Sequence, residues 1–396
     1  MPPFDHISRD HAELTAIRQD LHAHPELGMG EHRTAERVAA LLEGWGIEVH
    51  RGVGGTGVVG VLRAGSGNLA VGLRADMDAL PIQEATGLGF QSTVPGVMHA
   101  CGHDGHTTML LGAAKYLAET RNFSGTVNLI FQPGEEGCGG ALAMLKDGLF
   151  ERFPCDTIFG MHNRTGMDVG TYAVGQGAVM AGGAFFDIAI EGKGAHAARP
   201  EAGIDPVLTA CHVAVALQSI VSRNLSPRDP AVVSVTKVVG ADAYNVIPQS
   251  ATVSGTARFF TRAVGEQIEA ALRRLAEGVA AGFGARATVG WRLIFAPTVN
   301  SAEPVEAVKA AVLDVAVLDA AGVNAAGVAT LFTDRPPVMG SEDFSFMLER
   351  VPGAYLNVGN GEGYAPHHPL YAFNDAAIPH GAALYARLVE MGLPAA

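Results

Sequence analysis

Basic residues are scarce in this chain. Its 396 residues carry 27 Lys and Arg against 40 Asp and Glu, a formal net charge of -13 with His neutral. Neutralising nucleic-acid phosphates takes clustered cations, so nucleic acid is not an expected partner. No basic run of the kind that holds anionic lipid occurs either. An uninterrupted apolar stretch of about 18 residues is also missing, so no membrane span is expected. The start, MPPFDHISRDHAELTAIRQDL, places His and Asp early and lacks the apolar segment of an ordinary secretory signal. Cysteine is sparse: Cys101, Cys138, Cys155 and Cys211 lie scattered and make no disulfide framework. A reducing cytoplasm with mostly buried thiols is the expectation. What remains is rich in apolar residues (48%) and glycine (50), the balance of a turn-rich globular enzyme with a large core. The length suggests two or three domains. An acidic surface serves solubility, and an anionic substrate would need a few local Arg or His to hold it against that field.

Along the chain, helical periodicity runs through 8–44, and strand-like runs follow at 58–64, 69–76 and 127–132. A helical pattern at 108–120 separates the last two, and an apolar run at 158–162 ends in polar residues. Strands alternating with helices predict an α/β fold with a helix-covered, mostly parallel sheet. The middle differs. Strands at 184–193, 232–240, 251–260 and 285–294, with helices at 203–223 and 263–283, give the order β-α-β-β-α-β of a ferredoxin-like α+β unit. Asp205 before Pro206 is a natural helix cap. The expected division is a catalytic domain in two parts, 1–182 and 297–396, around an inserted domain at 183–296. Helical patterning resumes at 302–322, and the Gly- and His-rich tail is expected to return to the first domain.

The chemistry-bearing residues follow strand ends. Asp76 and Asp78 come after LAVGLR, Glu135 and Glu136 after VNLIFQPG, and His162 after TIFGM. In open α/β sheets the ligand crevice lies beyond the carboxyl ends of the strands. In C-G-H, Cys101 and His103 have donor types that suit a borderline-soft divalent ion, although a buried thiol beside a capping imidazole reads the same alone. His106 and Thr107 are expected to open the following helix as capping groups. Adjacent glutamates can divide their labour, one ligating metal and the other moving a proton. His162, His367 and His368 are unremarkable singly. Cys101, His103, Glu136, His162 and one late His together make five ligands, enough for two divalent ions about 3.5–4 Å apart with one ligand bridging. Asp76 and Asp78 would then orient ligand imidazoles. In the middle region His196 could donate to a developing oxyanion, and Asn245 and Arg258 could hold a carboxylate.

At these stretches the sequence resembles the zinc-dependent amidohydrolase and metallopeptidase family of aminoacylases, hippurate hydrolases, indole-acetyl-amino-acid hydrolases and bacterial carboxypeptidases. The matching segments are LHAHPELGMGE, LRADMDALPI, MHACGHDGHT, FQPGEEGCGGA, GMHN, GKGAHAARPEAGIDP, NVIPQSATVSGTAR, GSEDFSFM and HHPLYAFND. They span nearly the whole chain in the family's order, and C-G-H-D-G-H points to the aminoacylase/hippurate hydrolase branch. The resemblance implies an α/β catalytic domain with an inserted lid that often carries a dimer contact. It implies metal ligands at Cys101, His103, Glu136, His162 and His367, with Cys101 bridging and Glu135 as general base and acid. Zn is the first candidate, with Mn, Co or Ni as others. His196 would be the oxyanion-side His, in its own or a partner subunit's site, and Asn245 and Arg258 would lie near the substrate carboxylate. The segment G-M-H-N-R-T-G departs from the pattern by carrying Arg164 and Thr165 where a Pro is common.

The resulting expectation is a metal-dependent amidohydrolase of N-acyl amino acids, with a dipeptidase or carboxypeptidase of the same family as the alternative. A cysteine hydrolase using Cys101 with His103 or His106 would leave the glutamates and His162 idle. A non-catalytic binding protein would have no reason to keep the full ligand set with Glu135.

Overall fold

The computed structural model describes residues 2–319 and 331–395. The chain divides into two compact units. One comprises Met1–Gly177, Val299–Pro336 and Phe346–Ala396; the other comprises Ala178–Thr298 with Pro337–Ser345. Pro337–Ser345 thus joins the inserted unit, whereas the sequence reading gives that stretch to the catalytic part.

After a short helix at Pro3–Arg9, the larger unit carries two amphipathic helices, α1 (His11–Ala23) and α2 (His32–Gly44). Leu14, Ile17 and Leu21 recur at helical spacing along one stripe of α1 and are all buried. An eight-stranded sheet follows. Its labelled members are β1 (Glu48–Val53), β2 (Gly57–Ala64), β3 (Ala70–Asp76), β4 (Gly125–Gln132) and β5 (Thr157–Arg164), with β10 (Gly353–Gly359) supplied after the insertion. Their spatial order is β1-β2-β4-β3-β5-β10, continued by two-residue strands at Tyr172–Ala173 and Leu331–Phe332. The centre, β4-β3-β5-β10, is parallel. β1 and β2 form an antiparallel edge. Every residue of β3 is buried, as a central strand covered on both faces requires.

Between β3 and β4 lies α3 (His103–Thr120), which packs against α1 and the last helix, α7 (Ile378–Gly392). The helix expected at 108–120 starts earlier than its apolar pattern shows. His103, Asp104 and His106 form its first turn, hidden from the hydrophobic periodicity because they are polar yet buried. His106 and Thr107 are therefore not caps. Their hydrogen bonds run to Asp76, from the His106 ring to the carboxylate and from the Thr107 hydroxyl to the backbone carbonyl.

The inserted unit consists of β6 (Gly182–Glu191), α4 (Pro206–Leu217), β7 (Ala231–Val239), β8 (Ser250–Phe259), α5 (Arg262–Gly282) and β9 (Arg286–Phe295). The antiparallel order is β7-β8-β6-β9. Alternate residues of β8 are buried, leaving one face of the sheet to the two helices. Asp205 caps α4 by accepting from the backbone N–H groups of Val207 and Leu208. Regular α-helix stops at Leu217, and a π turn at Ile220–Asn224 finishes the stretch expected to be helical to 223. Helix α6 (Ala302–Asp319) follows in the larger unit; positions 320–322 of the expected helix lie outside the described residues. All four cysteines are free, and Cys138 and Cys211 are exposed, so the thiols are not mostly buried as expected.

A buried ionic knot ties α1 to the start of α3. Arg18 reaches Asp104 at 3.3 Å and Asp375 at 2.7 Å, and its guanidinium lies 4.5 Å over the Phe90 ring. His22 Nδ1 is 2.9 Å from Asp104, and its Nε2 is 3.3 Å from Glu84. Burial opposes charge on His22, but Asp104 and Glu84 override it and hold its pKa up at about 9. Such a group stabilises the fold fully below its unfolded pKa of about 6.5, and that contribution is lost as pH rises through the folded value. His22→Ala is expected to cost about 3 kcal/mol by leaving buried carboxylates underpaired. Urea unfolding should also show the wild-type stability falling between pH 6.5 and 9.5 more steeply than that of His22→Ala; parallel slopes would refute the linkage.

Candidate metal centre

Parallel alignment brings three strand ends to one edge. Asp76, closing β3, lies opposite Gln132, closing β4, and Arg74 lies opposite Gly160 of β5. From those ends the chain delivers Asp78, Glu135, Glu136 and His162, while the start of α3 delivers Cys101 and His103. The donor atoms of Cys101, His103 and His162 all lie within 4.8 Å of one another. So do those of Cys101, Glu136 and His367, and those of His103, Glu135 and Glu136. His367 Nε2 is 3.0 Å from Glu136 Oε1. His368 turns away and stacks on Tyr364.

Hydrogen bonds set the imidazoles for ligation. His162 Nδ1 sits 2.6 Å from the Asn163 carbonyl, which can only accept, so the proton is on Nδ1 and Nε2 offers its lone pair toward Cys101. Burial pushes the His162 pKa down to about 3, keeping the ring neutral. His103 gives Nδ1 to Asp78 Oδ1 at 3.0 Å, leaving a buried Nε2 with no hydrogen-bond partner. An orphaned imidazole nitrogen among a thiol and carboxylates fits a divalent cation. Asp78 Oδ2 also accepts from the Glu136 N–H at 2.9 Å, so one carboxylate fixes two of the donor-bearing segments.

Asp76 Oδ2 lies 3.8 Å from Nε2 of His103, one of the imidazoles it is expected to orient. The Asp76 carboxylate chiefly holds His106 (2.6 Å) and the fully buried Arg74 (2.7 Å). His106 cannot ligate through Nε2, because that atom accepts from the backbone and side-chain N–H groups of Asn163 at 3.0 and 2.9 Å. Asn163 in turn donates to the Cys101 carbonyl at 2.7 Å and accepts from the Tyr371 hydroxyl at 2.7 Å. These residues brace the C-G-H turn. Asn163 and Tyr371 escape the sequence reading, which makes His106 a cap rather than a brace, although G-M-H-N and D-G-H place two of the three beside candidate ligands. Gly102 is obligatory here: its φ is +89°, and a Cβ would come within 2.4 Å of Asn163 Nδ2 and Tyr371 Oη.

A second buried carboxylate holds the glutamate turn. Glu31, fully buried, accepts from the N–H groups of Gly134 (2.8 Å) and Met29 (3.0 Å) and from the Thr56 hydroxyl. Gly134, at φ +56°, makes the turn that presents Glu135 and Glu136. Burial raises the Glu31 pKa.

The Cys101 Sγ to His162 Nε2 distance, 3.3 Å, would also suit a thiol–imidazole pair. Burial, however, pushes the thiol up to about 12 and the imidazole down to about 3, the reverse of a thiolate nucleophile with its base. On the inserted unit, His196 is exposed in a two-residue strand paired with Val246–Ile247. The Asn245 carbonyl accepts from Ala197 N–H at 3.0 Å. Arg258 is half-buried on β8, donates to Thr256 Oγ1 and the Ala257 carbonyl, and has its pKa lowered by burial.

A family model for peptidase family M20/M25/M40 matches residues 72–391. The chain belongs to this family. It is 40% identical to a hippurate hydrolase of Campylobacter jejuni over 95% of both chains. It is 38% identical to an N-acetylcysteine deacetylase of Bacillus subtilis over 97% of both. Among solved structures, the Bacillus subtilis YXEP protein, a dinuclear metal-binding peptidase of the M20 family, superposes with a TM-score of 0.83 at 34% identity, covering 98% of this chain and 99% of that one. This M20-family protein is therefore a metal-dependent amidohydrolase that takes divalent ions. Among the described residues, no helix is long and apolar enough to cross a membrane.

The Glu31 clamp generates a test by shape. Glu31→Ala should lower kcat about 10- to 100-fold with a smaller change in KM. Glu31→Gln, whose amide oxygen can still accept both N–H groups, should recover most of the loss. Equal activity in Glu31→Ala and wild type would remove Glu31 from the machinery.

Proposed function

We propose that the chain hydrolyses the amide bond of N-acyl amino acids of the hippurate or N-acetyl type, using two divalent ions held by Cys101, His103, Glu136, His162 and His367. The observation that carries this reading is that the donor atoms of Cys101, His103, Glu136, His162 and His367 fall into overlapping clusters, one of which also holds the carboxylate of Glu135. When bound, the ions supply Lewis-acid polarisation of the scissile carbonyl and a lowered pKa for the attacking water. Glu135 takes the water's proton at its carboxylate and returns it to the leaving amine. Asp78 keeps the His103 lone pair facing inward, and Asn163 keeps the Cys101 turn in place. Cys101, common to the His162 and the His367 donor clusters, would serve both ions through its thiolate. His196 is assigned the hydrogen bond to the developing oxyanion, and Asn245 and Arg258 the substrate carboxylate. A ligand set with one thiolate and three imidazoles favours Zn, with Mn, Co and Ni as competitors. The free cysteines fit a cytoplasmic setting.

A second reading, cleavage of dipeptides or C-terminal residues, draws on 35% identity to thermostable carboxypeptidase 1 of Saccharolobus solfataricus over 95% of this chain. A panel of N-acetyl and N-benzoyl amino acids and dipeptides, assayed on metal-stripped and Zn- or Mn-reconstituted protein, separates the two. Glu135→Gln should retain metal and lose at least about 100-fold in kcat. Cys101→Ala should bind less metal by elemental analysis, and an unchanged metal content would take it off the ligand list.

A homodimer through the inserted unit is part of the proposal. Edge strand β7 exposes Val232, Val238 and Val239, and Leu208, Val215 and Val221 stand exposed on and just beyond α4. An apolar edge strand is a pairing surface unless it is covered. Light scattering should give a dimer mass for the wild type and a monomer mass for Val238→Glu combined with Val215→Glu; a monomeric wild type would overturn this point.

A further inference from the structure

Arg164 is the last residue of β5, two positions beyond His162, so both side chains leave the same face of the strand. Asn357 of β10 lies directly opposite His162; Ala173 lies opposite Asn357, and Phe332 opposite Ala173. Residues paired this way share a face. His162, Asn357 and Phe332 therefore form one level row across the sheet, with Arg164 one step above it. The Arg335 guanidinium lies 4.5 Å over the Phe332 ring. Two guanidinium-bearing chains thus stand at either end of a row whose middle is Asn357.

Neither cation has an acidic partner among the described residues. The one side-chain hydrogen bond of Arg164 is a long one, from Nη1 to Asn357 Oδ1 at 3.5 Å. A guanidinium offers five N–H donors, so most of its capacity is unused. Arg335 lies close enough to Arg164 to repel it, so two like charges are brought together without a counterion. Beside Arg164, the Thr165 hydroxyl is buried with no partner. In a chain with net charge -13, two cations without an acidic partner among the described residues are an exception to the general field.

We propose that Arg164, Arg335 and Thr165 form an anion subsite beside the metal centre that recognises a second carboxylate on the substrate, one beyond the α-carboxylate assigned to Asn245 and Arg258. This rests on the amidohydrolase reading and narrows it to N-acyl amino acids with an acidic group either on the acyl chain or on the amino-acid side chain. A planar carboxylate suits the bidentate face of either guanidinium and accepts from the Thr165 hydroxyl as well.

The holoenzyme is assayed on two matched pairs, each differing by one charge: N-succinyl- and N-butanoylphenylalanine, and N-acetylglutamate and N-acetylglutamine. In one pair the wild type should favour the dianion by at least about tenfold in kcat/KM, and the pair that responds identifies which side of the substrate enters the subsite. Arg164→Gln and Arg335→Gln should each reduce that preference several-fold, with Arg164→Lys retaining part of it. Absence of a charge preference in both pairs overturns the proposal. So does an Arg164→Gln variant that loses equally on both members of the responding pair, since the arginine would then serve the common carboxylate or the fold. If no N-acyl amino acid is cleaved, the amidohydrolase reading fails on its own account, and the subsite is read by calorimetry. Glutarate binding tighter than butanoate in the wild type but not in Arg164→Gln supports it, and equal binding overturns it.

Discussion

Cys101 and His103 have to leave the chain on the same side of a turn that is also the first turn of a buried helix. The left-handed conformation of Gly102 makes this possible, and the space a Cβ would need is occupied by Asn163 and Tyr371. Much of the centre depends on this close approach. Asn163 can reach the Cys101 carbonyl only because residue 102 has no side chain, and the same Asn163 engages His106, which Asp76 anchors at the end of β3. One backbone constraint thus ties β3, β5, α3 and the C-terminal segment around the donor atoms.

Charge is distributed with the same economy. A polar helix start can be buried at the sheet edge only if each group finds a partner, and Asp104 finds Arg18 and His22 while His106 finds Asp76 and Asn163. His103 is satisfied at Nδ1 and left open at Nε2. His106 uses both ring nitrogens inside the protein, whereas His103, a proposed ligand, keeps one pointed at the cluster. Carboxylates divide in the same way. Glu31 and Asp78 spend their oxygens on backbone N–H groups and an imidazole, which fixes the turn that carries Glu135 and Glu136 beyond the end of β4.

Two adjoining regions give the site different kinds of selectivity. The donor cluster, with its thiol, imidazole and carboxylate atoms within reach of one another, is proposed to hold the cations. The row of His162, Asn357 and Phe332 leads away from it to two unpaired guanidiniums, a distribution that selects an anion. Arg164 stands at the junction, two residues from His162.

The sequence by itself determined the fold class, the β-α-β-β-α-β order of the insertion and the gathering of Asp, Glu and His at strand ends. All three follow from local periodicity and from the rule that parallel strands end at a common edge. It also carried the ligand candidates, because C-G-H, E-E and a His after an apolar run are local patterns. Only the tertiary structure decided which partner each buried polar group takes. Asp76 turned to His106, Glu31 clamped a loop about a hundred residues away in the chain, and Phe332 came level with His162 through two intervening strands. Such pairings depend on strand register and on the direction of single side chains. A one-residue shift in register would exchange the faces and dissolve them, and no pattern within either segment records which register will form.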